Sequence, residues 1–520
     1  MAKFQVNTDI KIIENPVFLE KAWQLTPELR YETVNADECV LIEKDGNSFN
    51  GAQMILQTPV QDTPQHLKKG DSIIFDFGDH QVGKIGFTVS PLGSPPDAPL
   101  HLKITLGETP IEMATDFSSY EGWVSSSWLQ EETLHVDVLP EKIRLPRRYS
   151  FRFVKFTVLD TSPKYAVRFD DVHCVTETSA EYDKLSIRSY DDVQLDRINK
   201  VGIKTLADCM QNVFEDGPKR DRRLWLGDLH LQAKVNYETF KNNDLVKRCL
   251  YLFAGTPSEE GKVSANLFVK PNVVPDDTYL FDYSLFFAST LNDYVLQTDD
   301  SETLDDLYET AMRQIDLACV QLDDRSVLKE GEGWWAFIDW NDDILKQAAC
   351  HGVLMYVLKA GINLARMKGD DAKETILKDC YDACKSAANQ YLKNDDGDYV
   401  CEDERKASLQ SQVWMVLGGA PDAEEAHSLM ARWMETSLDD ISTPYMMHYL
   451  IQALIDSENK GLGLQELRRY WGGMIDNGAD TFWEAYKPND PTFSPYDNTI
   501  INSYCHAWSC TPTVLLNQLI

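Results

Sequence analysis

Residues 193–210, VQLDRINKVGIKTLADCM, mark the point at which the chain changes its period. Val193, Leu195, Ile198, Val201 and Leu206 recur at spacings of three and four, which gathers them on one face of a helix. Upstream the rhythm is different. In SIIFDF (72–77), KIGFTV (84–89), LHLKITL (100–106), TLHVDVL (133–139), FVKFTVL (153–159) and AVRFDDV (166–172) the alternation has period two, as in strands with one buried face. Breaker clusters such as SPLGSPPDAP (90–99) and LDTSPK (159–164) separate them. Residues 51–178 are therefore expected to form an antiparallel β-sandwich, jelly-roll-like, rather than a parallel sheet. Residues 1–50 carry a weaker pattern and read as an N-terminal extension or edge strands.

Downstream, over 179–520, the helical period persists, for example in LFDYSLFFASTLNDYVLQ (280–297), AKETILKDCYDACKSAANQYL (372–392) and PYMMHYLIQALI (444–455). About a dozen such segments in about 340 residues fit six helical hairpins closed in a ring, and no fixed-period repeat favours a solenoid. The predicted fold is multidomain, an N-terminal antiparallel β-sandwich followed by an all-α (α/α)6 toroid. Loops at one end of such a ring converge on its central cavity. Function is expected in EDGPKRDRRLWLGD (215–228), KPNVVPDDTY (270–279), LKEGEGWWAFIDWNDD (328–343), NDDGDYVCEDER (394–405) and GADTFWEAYKPNDPTFSPYD (478–497).

Composition narrows the partners. With 83 acidic and 50 basic residues the net charge is −33, a field that repels nucleic acid and anionic lipid and admits a neutral small molecule or glycan more readily. No run approaches about 18 uninterrupted apolar residues, so no membrane partner is expected. The N-terminus MAKFQVNTDIKIIENP lacks the apolar core of a secretory signal, and the eleven cysteines are scattered; both favour reduced thiols and a cytoplasmic location. Cys380 and Cys384 lie one helical turn apart without a second ligand pair nearby, which reads as two small packed side chains rather than zinc ligands.

Walker-type, dinucleotide, HExxH and GxSxG motifs are absent, and NDDGDYVCEDE does not follow the EF-hand spacing, so neither metal nor organic cofactor is expected. What remains is carboxylates paired with tryptophan in the helical loops. That is a sugar-site composition, because indole faces stack on the C–H faces of pyranoses while Asp, Glu and Arg take the hydroxyls. The same indoles also serve ordinary packing. The expected partner is a small glycoside or oligosaccharide, and self-association as a homodimer stays open.

Taken together, DGPKRDRRLWLGD, EGWWAFIDWND, GADTFWEAY and NSYCHAWS resemble the motifs of bacterial α-L-rhamnosidases of glycoside hydrolase family 78, in order from about residue 65 onward. The resemblance implies a β-sandwich before an (α/α)6 barrel, and an inverting exo-hydrolase that releases a terminal sugar by general acid/base catalysis. Carried over by position, Asp216 and Asp228 become sugar-binding carboxylates, Arg220 their companion and Trp225 a wall of the pocket. The general acid falls on Asp221, where the family has Glu, and Gly217 replaces the family's Cys. Asp is one methylene shorter, and a misplacement of about 1.5 Å costs on the order of 100-fold in rate. Glu215 and Glu332 are therefore alternative acids, and an altered-specificity or carbohydrate-binding homologue without the usual acid is the second reading. Glu484 in DTFWEAY resembles the family's general base and His506 its sugar-contacting histidine. Trp334, Trp335, Asp339 and Trp340 look like the aromatic rim, with Trp340 the preferred stacker. An inverting pair implies carboxyls about 6.5–9.5 Å apart.

Overall fold

The computed structural model describes residues 9–185, 187–329, 334–436, 438 and 440–520. Nine strands among these residues form the N-terminal layer structure, every pairing antiparallel. SIIFDF and KIGFTV turn out to belong to one strand, Ser72–Gly93. Its first part pairs with Glu38–Lys44 and Tyr149–Asp160, its last part with Glu141–Arg144 and Tyr165–Thr178. Gly78, at φ +74°, sits where the register with Tyr149–Asp160 slips, so the glycine kinks the strand instead of ending it. One bent strand thus serves both layers of the sandwich. Their core is aromatic: Phe156 stacks on Phe169 at 4.4 Å and meets Phe87 at 4.7 Å.

The N-terminal segment divides its allegiance. Arg30–Asn35 is an edge strand paired only with Tyr165–Thr178, whereas helix Pro16–Gln24 packs on the helical region against Asn243–Ala254. Arg248 fixes that helix by donating to the Ala22 carbonyl.

After residue 190 twelve helices follow among the described residues, and burial sorts them into two rings. Leu226–Glu238, Phe281–Thr298, Gln347–Lys368, Leu409–Gly418, Pro444–Asp456 and Pro512–Leu519 form the inner ring, each packed on the next and the last on the first. The helices that alternate with them lie outside. Sequence dictates the sorting: all ten residues of Leu409–Gly418 are buried, while Asp371–Tyr391 buries four of its 21. Gln347–Lys368 is long and apolar enough to cross a bilayer, yet it is packed against four neighbouring helices, two of the inner ring and two outside it. Each inner helix is entered through a loop from an outer one, and the five loops singled out in the sequence are all of this kind. Their side chains meet at the N-terminal ends of the inner helices, where helix dipoles favour carboxylates.

Candidate active site

The first of these loops is shaped by its own charges. Asp216 accepts from the Arg223 amide at 3.0 Å, and its own amide donates back to the Arg223 carbonyl, stapling a tight turn. Asp221 and Arg222 sit inside that turn with left-handed φ of +43° and +57°, backbone strain of the kind stored at functional sites. Gly217 is required by close approach: a Cβ there would lie 2.7 Å from Ser503 Oγ and 3.0 Å from the Cys505 carbonyl. Lys219, fully buried, anchors the loop across the domain boundary, donating to Glu112 of the β-sandwich at 2.7 Å and to the carbonyls of Ile500 and Asn502.

Opposite the turn stands Glu484, 3% exposed. Its amide donates to the Ser503 carbonyl and its carbonyl accepts from Trp508 Nε1, which fixes the backbone. Both carboxylate oxygens are occupied: Oε2 by Arg220 Nη2 and Oε1 by the Tyr496 hydroxyl. Burial works against the charge, but the Arg220 guanidinium beside it and the hydrogen bonds from Arg220 and Tyr496 outweigh it and hold the carboxyl below its usual range. Glu484 is therefore held toward its anionic form.

The carboxylates of the turn behave oppositely. Asp216 is pushed well up by burial and then by Asp221 and Asp228, and Asp228 by burial and then by Glu484 and Asp221. Burial and mutual repulsion therefore push Asp216 and Asp228 toward their protonated forms, opposite in direction to Glu484. His506 lies between the two, Nε2 3.8 Å from Asp216 and Nδ1 3.6 Å from Asp228. Burial lowers its pKa to about 4, so the imidazole is neutral. Asp228 Oδ1, His506 Nδ1, Arg220 Nε and Trp340 Nε1 are buried without a hydrogen-bond partner, a set of donors and acceptors suited to sugar hydroxyls.

The aromatic residues divide. Trp225 lies in a two-residue strand paired with Asn266 and meets Tyr283 edge-on at 6.1 Å. Trp340 meets Tyr496 edge-on at 5.7 Å and thereby joins Glu484 and Arg220. Trp334 and Trp335 do not: they line a separate cavity of about 450 Å³ with Phe281, Leu328 and Ile344, where the Lys346 ammonium lies 4.4 Å from the Trp335 ring. Asp339 also departs from its expected role. Its carboxylate accepts from Thr443 Oγ1 at 2.7 Å, the Ser442 amide, Gln410 Nε2 and the Trp340 amide, so it latches the Trp340 loop to the neighbouring inner helices. Asp282 completes the latch by accepting from the amides of Phe337 and Ile338.

Of the alternative acids, Glu215 is tied to Arg148 of the β-sandwich at 2.6 Å and bridges the domains, and Glu332 lies outside the described residues. Tyr496 was missed among the sequence candidates although its loop was singled out, because a lone Tyr in FSPYD carries no spacing signal. Trp123 was missed for a different reason: it comes from the β-sandwich, donates to the Pro495 carbonyl at 3.1 Å and packs on Tyr496 at 5.6 Å. Among the described residues, His80, Asp208 and Cys505 bring potential ligand atoms within 4.8 Å of one another. The His80 nitrogens already face Asp208 at 2.7 Å and Glu108 at 3.2 Å, and Lys204 neutralises Asp208, which makes this a buried ion-pair network.

A ring of six hairpins whose open end gathers Glu484, the opposed carboxyls of Asp216 and Asp228, and indoles is the architecture of a glycosidase. Residues 36–176 match the glycosyl hydrolase family 78 alpha-rhamnosidase N-terminal domain, and residues 183–520 the bacterial alpha-L-rhamnosidase 6 hairpin glycosidase domain. The chain belongs to this rhamnosidase family. It is 43% identical to a rhamnosidase from Klebsiella oxytoca solved with rhamnose bound, over 98% of this chain and 99% of that one, with a TM-score of 0.95. It shares its fold with a family 78 rhamnosidase of Bacillus sp. GL1 (21% identity, 90% of this chain and 49% of that one, TM-score 0.72). The same holds for a Streptomyces avermitilis α-L-rhamnosidase complexed with L-rhamnose (15% identity, 94% and 43%, TM-score 0.67). The chain thus spans about half the length of these last two. A search of curated proteins gave no match.

Proposed function

We propose that the protein is an inverting exo-acting α-L-rhamnosidase that releases a terminal rhamnose from small glycosides. The observation that carries this reading is geometric: Glu484, gripped through both oxygens by Arg220 and Tyr496, faces a turn that brings Asp216, Asp221 and Asp228 together beside His506. In the proposed reaction Asp221 donates its proton to the glycosidic oxygen as the bond to the aglycone breaks. Glu484 takes a proton from a water that attacks the opposite face of the sugar, and the anomeric centre inverts. Asp216, Asp228 and His506 hold the hydroxyls, with Trp225 and Trp340 as walls. The second reading, a binding homologue without a working acid, is motivated by the shorter Asp221. A cytoplasmic location belongs to the same proposal and rests on eleven cysteines that are all free thiols.

An aryl α-L-rhamnoside followed by NMR tests it. First-formed β-rhamnose is expected; first-formed α-rhamnose would overturn inversion, and sugar binding without release would favour the second reading. Glu484→Gln should abolish turnover with the fold intact.

A further inference from the structure

The loop 478–497 entered the site through Glu484, yet the structure places a second residue of it, Tyr496, at the centre of a closed triangle. The Tyr496 hydroxyl donates to Glu484 Oε1, Arg220 donates to Oε2, and the Arg220 guanidinium lies 4.1 Å over the Tyr496 ring. All three side chains are buried. The ring in turn is held from both domains, by Trp340 of the helical ring and by Trp123 of the β-sandwich, whose Nε1 also fixes the Pro495 carbonyl. We propose that Tyr496 is a positioning residue for the reaction: its hydroxyl fixes the orientation and the ionised state of Glu484, and Trp123 extends that support to the β-sandwich. The inference rests on the reading of Glu484 as general base.

The physical argument is one of degrees of freedom. A carboxylate held through Oε2 alone still rotates about its terminal torsion, which is broad for a planar group. A second donor on Oε1 stops that rotation and leaves the remaining lone pairs in fixed directions for a water. It also stabilises the anion, because a hydrogen bond to the charged form lowers a carboxyl's pKa. The charged and titratable groups around Glu484 are Arg220, His506 and Tyr496, with Asp228 and Asp221 beyond them. Deleting the Tyr496 hydroxyl leaves every formal charge near neutral pH in place.

Tyr496→Phe keeps the ring, its packing and the guanidinium contact, and deletes only the hydroxyl. The pH profile of kcat on an aryl rhamnoside is expected to change in its acidic limb, which moves to higher pH by about one unit, because Glu484 protonates more easily. At the pH optimum kcat falls on the order of 10-fold while KM changes little. Trp123→Phe, which removes the indole donor, should lower kcat less and leave KM in place. A purely structural Tyr496 would leave the acidic limb where it is, and that result in a folded variant overturns the proposal. If Tyr496→Phe does not fold, 3-fluorotyrosine at position 496, a stronger donor, should move the limb to lower pH; an unmoved limb again overturns it. Near-normal turnover by Glu484→Gln would instead refute the reading of the base, whereas an inactive Glu484→Gln beside an unshifted Tyr496→Phe refutes the role of Tyr496 alone.

Discussion

Replacing Lys219 by methionine keeps the length and apolar stem of the side chain and removes one buried ammonium. In the wild type that ammonium donates to Glu112 at 2.7 Å and to the carbonyls of Asn502 and Ile500 at 2.8 and 3.0 Å, with Glu108 3.9 Å away. Removing one partner of a buried ion pair costs about 3–5 kcal/mol, because the other charge is left uncompensated. Glu112 keeps the amides of Glu108 and Thr109 on its other oxygen, which pulls the cost toward the lower end, and the two abandoned carbonyls add about 1 kcal/mol each at most. A loss of about 4 kcal/mol is expected. Its pH dependence identifies the cause. Burial already pushes the Glu112 carboxyl up against the pull of Lys219, so without Lys219 the group takes up a proton on folding. A raised folded pKa contributes stability that is present below the unfolded value, about 4.3, and is lost as pH rises. The defect should therefore be small near pH 4.5 and larger at pH 8. Urea unfolding followed by tryptophan fluorescence at both pH values measures it, and Lys219→Met with Glu112→Gln should recover part of the loss. A cost below about 1 kcal/mol, or one equal at both pH values, would refute the account.

Three further outcomes follow from the site. His506→Gln should flatten the stability profile between pH 6.5 and about 4, where the unfolded chain binds a proton that the native imidazole refuses. The acid-side loss it removes is up to about 3 kcal/mol, read from urea midpoints. Asp339→Asn replaces an acceptor of four donors by a group with one acceptor oxygen; it should lower stability by about 2 kcal/mol and raise KM, as Trp340 loses its anchorage. Gly217→Ala forces a methyl against Ser503 and Cys505 and should cut kcat/KM at least 10-fold at a stability cost of about 1–3 kcal/mol, measured by kinetics and thermal unfolding together.

The sequence carried the fold where period was unambiguous. The switch at 193–210 separates sheet from ring, and five of the loops that enter inner helices were visible as charged or aromatic interruptions. The sixth was not: residues 434–443 supply Ser442 and Thr443 to the Asp339 latch through a backbone amide and a hydroxyl, which leave no compositional mark. The strand Ser72–Gly93 was read as two because a glycine that bends a strand looks like one that ends it. Asp216, Arg220, Asp228, Glu484 and His506 were legible by motif and come together in space. Asp339 and Trp335 show the limit of composition. An acid and an indole beside a site look alike whether they face it or fasten the loop behind it, and only burial and partners tell them apart. Tyr496 and Trp123 depend on tertiary contacts across domains, which no local pattern encodes.

The closure of the ring also has a consequence in time. Arg220 and Glu484 are 264 residues apart, and at about 5–20 residues per second the ribosome takes roughly 13–53 s to supply the second after the first. Over that interval the β-sandwich and Lys219 are already made, while Tyr504, whose amide donates to Glu108, is still to come. That waiting face is mixed, because Ile111, Phe117 and Trp123 stand uncovered beside the carboxylates until Tyr496, Ile500 and Ile501 pack on them. The last residues to be made are thus the ones that cover the apolar side of the junction, and the sandwich stays open to unwanted contacts until they arrive.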